Sequence, residues 1–216
     1  MNENNQESSY STSDEITHQH SSRQTIPPSG SRIPRFLIDL GNILFNAMII
    51  VVIFFVIQYF LFANVKVEGS SMTPTLENGD RLVLNKVSKI ERFDIVVLKA
   101  PDVDEKENVQ YIKRVIGMPG DTVEMNADSL IINGEPVKEK YLPVDVIESL
   151  PYYYTNDFTL NSLLGTDKVP EHSYFVLGDN RLNSKDSRVF GFVDEDDVMG
   201  KISLRYWPLA HFEFFK

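Results

Sequence analysis

A serine hydroxyl becomes a nucleophile only when a base stands ready to take its proton. The segment Gly69-Ser70-Ser71-Met72-Thr73-Pro74-Thr75-Leu76 offers two adjacent hydroxyls. They lie between a glycine, which permits close backbone approach, and a proline, which fixes a turn. Beyond residue 66 three side chains offer themselves as the base. His172 follows Pro170-Glu171 in a loop context and His211 lies near the C-terminal end, neither with an acidic partner legible in the sequence. Lys113 is the third, since a lysine whose pKa is lowered by burial accepts a proton when neutral. If Tyr111 to Ile116 is a strand, Tyr111, Lys113 and Val115 share one face and Ile112, Arg114 and Ile116 the other. Periodicity alone favours the plainer reading of the same lysine, an edge-strand charge that blocks unwanted pairing. A further polar run, Gly178-Asp179-Asn180-Arg181-Leu182-Asn183-Ser184-Lys185-Asp186-Ser187-Arg188 before Gly191-Phe192, reads either as a surface loop with local turn bonds or as support for a site.

The elements that must carry these residues are unevenly distributed along the 216-residue chain. Residues 1–35 are rich in Ser, Asn, Gln and Thr, too polar to offset their ordering entropy, and are expected to be a disordered tail. His18 and His20 in this tail read as solvated side chains rather than metal ligands. No charge occurs between Asp39 and Lys66. As a helix this run reaches about 39 Å, enough to cross a hydrocarbon core of about 30 Å. It is too long for the apolar part of a cleavable signal and no small-x-small site follows, so residues 36–65 are expected to form an uncleaved signal anchor. Arg23, Arg32 and Arg35 precede it and only Lys66 closely follows. The positive-inside rule then places the N-terminus in the cytoplasm and residues 66–216 outside, with Tyr59, Phe60 and Phe62 at the outer interface.

The net charge is −10, of which −8 falls on residues 66–216. That excludes general nucleic-acid binding, which needs a basic footprint. The absence of cysteine removes disulfides, thiolate metal sites and cysteine nucleophiles together. The acidic runs Asp102, Asp104, Glu105, Glu107 and Asp194 to Asp197 lack the glycine and closing glutamate of a calcium loop, so neither metal nor cofactor is expected. The exterior part reads as mostly β: residues 81–84, 94–98, 110–116, 173–177 and 201–207 are strand-like, and Asn133-Gly134 turns a hairpin over 130–137. The expected architecture is a folded antiparallel sheet, barrel-like, with a small inserted β subdomain at about 118–177 and one transmembrane helix before it. Tyr152, Tyr153 and Tyr154 in the insert read as packing or surface anchors.

Taken together and in this order behind one N-terminal anchor, the three motifs resemble bacterial type I signal peptidases. Residues 69–76 resemble the nucleophile box of that family, residues 111–121 its lysine box, and residues 178–192 its last box; Gly79-Asp80 and Arg92 to Val97 resemble the connecting strands. The resemblance covers about residues 36–216. A lysine where other kinds carry histidine points to the bacterial kind and to the bacterial plasma membrane.

The resemblance implies a Ser–Lys serine endopeptidase that removes signal peptides from exported preproteins close to the secretion channel. It makes Ser71 the nucleophile, with the register set by Met72-Thr73-Pro74, and Lys113 the general base. It implies the Ser71 backbone N–H as one oxyanion donor, while Gly69 stands where some members carry a second, hydroxyl donor. Ser184 matches a serine that orients the lysine; Asp179, Asp186 and Arg188 match residues that brace the site, with Asp179 pairing Arg114. Met72 and the strand Arg81, Leu82, Val83, Leu84 are expected to bind an extended substrate with small residues at −1 and −3. Rival readings are an inactive membrane-anchored binding paralogue, a peptidase for a single leader, and a self-cleaving Ser–Lys repressor. Retention of both Ser71 and Lys113 speaks against the first, and the span together with the lack of a DNA-binding segment against the last.

Overall fold

Most of the uncharged run after Asp39 falls in one helix, α1 (Arg35–Leu61), which carries no charged side chain beyond Asp39. It is long and apolar enough to cross a membrane, and none of the hydrophobic window is buried against protein. A computed structural model of the chain describes residues 34–103, 108–144, 147 and 149–215. The expected tail with His18, His20, Arg23 and Arg32, and the acidic residues Asp104, Glu105 and Glu107, lie outside the described residues. The chain divides into two compact units, 1–47 and 48–216, and both sheets belong to the second.

The helix ends earlier than the apolar run. Phe62–Lys66, the first four of them counted with the anchor in the sequence, form strand β1 instead. They pair antiparallel with β2 (Arg81–Asn85), in the register Phe62 to Asn85 and Lys66 to Arg81. β3 (Ile95–Lys99), β4 (Gln110–Gly117), β9 (Ser173–Leu177), β10 (Val193–Asp194), β11 (Val198–Trp207) and β12 (Glu213–Phe214) complete the large sheet. Its order is β1-β2-β11-β3-β4-β9-β10, with β12 beside β11. The path is open, ending at β1 and β10, so the expected barrel-like closure is absent among the described residues. β11 explains the order: ten residues long, it crosses between β2 and β3 and separates strands that are close in sequence.

Alternation along β3 puts its two faces into different cores. Ile95 and Val97 pack with Val67, Met72, Leu76, Leu82, Leu84 and Ile202, whereas Val96 and Leu98 pack with Val115, Tyr174, Val176 and Val193. A strand buried on both faces lacks a polar side, which is why residues 95–98 read as a continuous apolar run.

The second sheet has the order β7-β6-β5-β8, from β5 (Val123–Asn126), β6 (Ser129–Ile132), β7 (Glu135–Val137) and β8 (Phe158–Thr159). Asn133 and Gly134 have φ of +53° and +81°, the pair of left-handed residues that a two-residue hairpin turn requires. A short helix α2 (Leu160–Leu164) follows, capped by Thr159 through the Ser162 N–H. The insert is therefore shorter than expected: β9, assigned to it in the sequence, pairs with β4 in the large sheet. Ile116, Phe175 and Leu177 of the large sheet share one core with Val123, Met125, Leu130 and Phe158 of the small one. No helix after Leu61 exceeds five residues among the described ones.

Candidate active site

Ser71 sits in a turn after β1 and Lys113 in the middle of β4, 42 positions apart in sequence, and the Lys113 Nζ donates to the Ser71 Oγ at 2.8 Å. The Ile112 carbonyl accepts a second Nζ hydrogen at 3.1 Å. Lys113 lies opposite Val96 and two residues before Val115, on the face that packs into an apolar core. It is 3% exposed. Burial brings its pKa down to about 8, and the charges of Asp186 and Asp179 keep it from falling further. The arrangement is a hydroxyl in contact with an amine of which a minor fraction is already neutral near physiological pH and most is neutral above pH 8, which is chemically a nucleophile and its base. Neither histidine competes for the role: the exposed His172 ring lies 3.2 Å from Glu195, and neither His172 nor His211 bonds Ser71.

The Gly178 to Arg188 run clamps this pair rather than forming a free surface loop. The Asn180 N–H donates to the Ser71 carbonyl at 3.0 Å, the Asn180 amide donates to the Ser70 carbonyl, and the Asn183 amide donates to the Ser70 hydroxyl. Asp179 is fully buried and accepts from Arg114 Nε at 2.8 Å and Nη2 at 2.6 Å, the pair expected from the sequence. Its second oxygen also accepts from the Thr75 hydroxyl at 2.5 Å, which ties it to the turn carrying Ser71. Asp186 caps α3 (Ser187–Phe190), is held by Arg188 Nε and Nη2 at 2.8 Å each, and accepts the Gly178 N–H. Asn180, Asn183 and Thr75 were not singled out in the sequence, where a residue that bonds distant backbone looks like any polar loop residue.

Two expected supports are placed differently. Ser184 makes no hydrogen bond to the lysine; its hydroxyl is buried and has no hydrogen-bond partner among the described residues. Gly69, with φ of +96°, supplies no hydroxyl, and its N–H is taken by the Asn78 side chain at 3.1 Å. Gly178 has a steric role of its own. A methyl there would come within 2.2 Å of Ser184 Oγ and 2.5 Å of the Ser71 carbonyl oxygen. The serine hydroxyl can rotate away but the backbone oxygen cannot. Gly178→Ala is therefore expected to cost about 1–3 kcal/mol and to displace Ser71. A thermal melt and a cleavage assay check this; an unchanged melting midpoint with full activity would refute it.

A cleft of about 480 Å³ opens beside Ser71, Met72 and Lys113. Its walls are residues 65–69 and 108–112. The expected substrate strand is elsewhere. Leu82 and Leu84 are 0% exposed, and β2, which carries Arg81, Leu82, Val83 and Leu84, is paired on both sides by β1 and β11. It has no free edge to offer an added strand, so of the expected binding residues only Met72 lines the cleft. The available edges are those of β1, at the end of the sheet, and of Gln110 to Lys113, since β9 pairs with β4 only from Arg114 onward. Among the described residues, no group of His, Asp and Glu is arranged to hold a metal ion.

A hydroxyl–amine pair in an open antiparallel β fold defines a class of hydrolase, and comparison with known proteins gives the family. The family model described as signal peptidase, peptidase S26, matches residues 40–207. The chain is 47% identical over 162 residues to signal peptidase I of Bacillus caldolyticus, covering 73% of this chain and 86% of that protein. It is 39% identical over 171 residues to signal peptidase IB of Staphylococcus aureus strain MRSA252, covering 76% and 87%. The crystal structure of a signal peptidase I from Enterococcus faecalis V583 is 43% identical, covering 53% of this chain and 97% of that one, with a TM-score of 0.48. The chain belongs to the signal peptidase family of peptidase S26 hydrolases.

Proposed function

We propose that this protein is a membrane-anchored peptidase that removes N-terminal signal peptides from exported preproteins, with Ser71 as nucleophile and neutral Lys113 as general base. Membership of the family supports the substrate class. The observation that carries the mechanism is the 2.8 Å contact between the Ser71 Oγ and a buried amine whose pKa is about 8. With the amine neutral, the same contact lets the Ser71 hydroxyl donate its proton to Nζ, while the Ile112 carbonyl holds the amine in direction. Oγ attacks the scissile carbonyl carbon, and the Ser71 N–H donates to the developing oxyanion. Lys113, now protonated, gives its proton to the leaving amine, and the acyl-enzyme remains. A water molecule, deprotonated by the again neutral Lys113, hydrolyses the ester and restores Ser71.

The substrate enters extended between the edges of β1 and of Gln110 to Lys113, where backbone groups of both segments face the cleft. Alternate side chains of a strand point the same way, so residues −1 and −3 meet the same wall. The tight packing of Val67 and Met72, 4% and 2% exposed, leaves room there for small side chains. Helix α1 is the anchor, with the residues before it in the cytoplasm and the sheets outside. Ser71 follows the end of that helix by ten positions, which keeps the site at the bilayer, where the apolar part of a signal peptide also lies. The peptidase domain begins with β1 at Phe62, rather than at residue 66, with 123–159 as an inserted sheet.

The pH profile tests the base. Below its pKa the lysine is protonated and cannot accept the serine proton, so activity is lost on the acid side. With a peptide carrying an Ala-x-Ala site, kcat/KM is expected to rise about tenfold per pH unit up to an apparent pKa near 8 and then level off. A rate at pH 6 equal to that at pH 9 would exclude a lysine base.

A further inference from the structure

The segment between β7 and β8 sends four side chains, those of Glu139, Tyr141, Tyr154 and Thr155, into the braces of the dyad. Tyr141 lies against Arg114, with the guanidinium carbon 3.9 Å from its ring centroid. Its other neighbour is Phe93, at 5.7 Å between ring centroids, and the Phe93 carbonyl accepts from Arg114 Nη1 at 2.8 Å. The Tyr141 hydroxyl donates to Glu139 at 2.5 Å, and Glu139 forms a buried ion pair with Arg181. Arg181 in turn donates to the Gly178 carbonyl at 3.0 Å and to the Thr155 hydroxyl at 3.3 Å. The Tyr154 hydroxyl donates to the Asp179 carbonyl at 2.8 Å. Burial pushes the Tyr141 hydroxyl well above its ordinary pKa, so it stays protonated and remains a donor.

We propose that Tyr141 is a positioning residue for peptide cleavage, holding the Arg114 guanidinium flat against its ring so that Asp179 keeps its grip on the Ser71 turn. The inference rests on the Ser71–Lys113 reading. The route is short: Tyr141 fixes the plane of Arg114, Arg114 makes two hydrogen bonds to Asp179, and Asp179 accepts from Thr75 four residues beyond Ser71. A guanidinium loses its fork geometry when its plane turns, because both hydrogen bonds to a carboxylate depend on that plane. Tyr141 is not part of the cleft wall, so it acts through Arg114 and not on the substrate. The inserted sheet thereby acquires a function beyond bulk: Glu139, Tyr141, Tyr154 and Thr155 follow β7 and reach the Gly178 to Arg181 run together.

The test separates ring face from hydroxyl and turnover from binding. The full-length protein in detergent is assayed on a preprotein as wild type and as Tyr141→Phe, Tyr141→Met and Ser71→Ala. Tyr141→Phe keeps the face over Arg114 and should hold kcat within about threefold. Tyr141→Met fills similar space without a face and should lower kcat about tenfold to a hundredfold, the size of a misplaced reacting group, with KM within about twofold. Melting midpoints are recorded for each. If Tyr141→Met keeps the wild-type kcat, if Tyr141→Phe is as impaired as Tyr141→Met, or if the loss falls in KM, Tyr141 does not position the site. Should Tyr141→Met not fold, Tyr141→Phe alone decides: a kcat more than tenfold below wild type overturns the role assigned to the ring face, and a kcat within about threefold supports it. Activity surviving in Ser71→Ala would instead break the dyad reading, so the two failures are told apart.

Discussion

Replacing Ser71 with alanine is expected to lower preprotein cleavage by at least about a thousandfold, and replacing Lys113 with methionine to do the same. The contact between Lys113 Nζ and Ser71 Oγ is direct, at 2.8 Å, and the chemistry needs both groups. Alanine removes the attacking oxygen. Methionine keeps most of the volume and the apolar packing of a side chain 3% exposed, so the fold survives while the base is gone. The double variant should be no slower than either single one, because groups that act as a unit are not additive. Lys113→Arg sharpens the distinction: it keeps the positive charge beside Asp179 and Asp186, but a guanidinium does not deprotonate, so it too should be inactive. The measurement is the rate of mature-product formation from a preprotein at pH 9. A Lys113→Arg enzyme within tenfold of wild type would show that the amine is not a base but only a charge.

Breaking the Arg114–Asp179 pair should produce the largest loss of stability, about 3–5 kcal/mol for Asp179→Ala or Arg114→Met alone. Both side chains are buried, Asp179 entirely, so removing either strands an uncompensated charge. Domains of this kind are stabilised by about 5–15 kcal/mol in total, which makes this a large fraction. The Thr75 hydroxyl loses its acceptor as well, so activity should fall with stability. A double-mutant cycle checks the cause. Arg114→Met combined with Asp179→Leu should recover part of the stability lost by either single change, since the buried charges leave together. Recovery of stability without recovery of activity is the expected result, because Thr75 still lacks its partner. Denaturant melts and cleavage rates on the four proteins decide it; single variants that melt like wild type would mean that the pair contributes nothing.

Local pattern carried much of this protein. The uncharged run, the strand at 95–98, the Asn133-Gly134 turn and the two faces of β4 are legible in local composition and period, because one-face burial marks every second residue, two-face burial leaves a continuous apolar run, and a tight turn demands its own residue types. The face of Lys113 was legible in the same way, between Tyr111 and Val115, but period alone favoured an edge-strand charge, and only the resemblance of the three motifs made it the favoured base. Which strand edges remain open was not legible. Residues 81–84 and 110–113 look alike as strands, yet β11 arrives from far along the chain to cover the free edge of β2, while β9 covers β4 only from Arg114 onward. Edge exposure is a property of pairing, and pairing between distant segments leaves no periodic trace. The same holds for Tyr141 and Glu139, whose partners Arg114 and Arg181 lie 27 and 42 positions away. The sequence by itself determined the reactive groups and the face each one occupies. Tertiary structure decided which of them meet, which strand edges stay open, and that the segment between β7 and β8 packs against the site, because those depend on contacts that only closure of the chain creates.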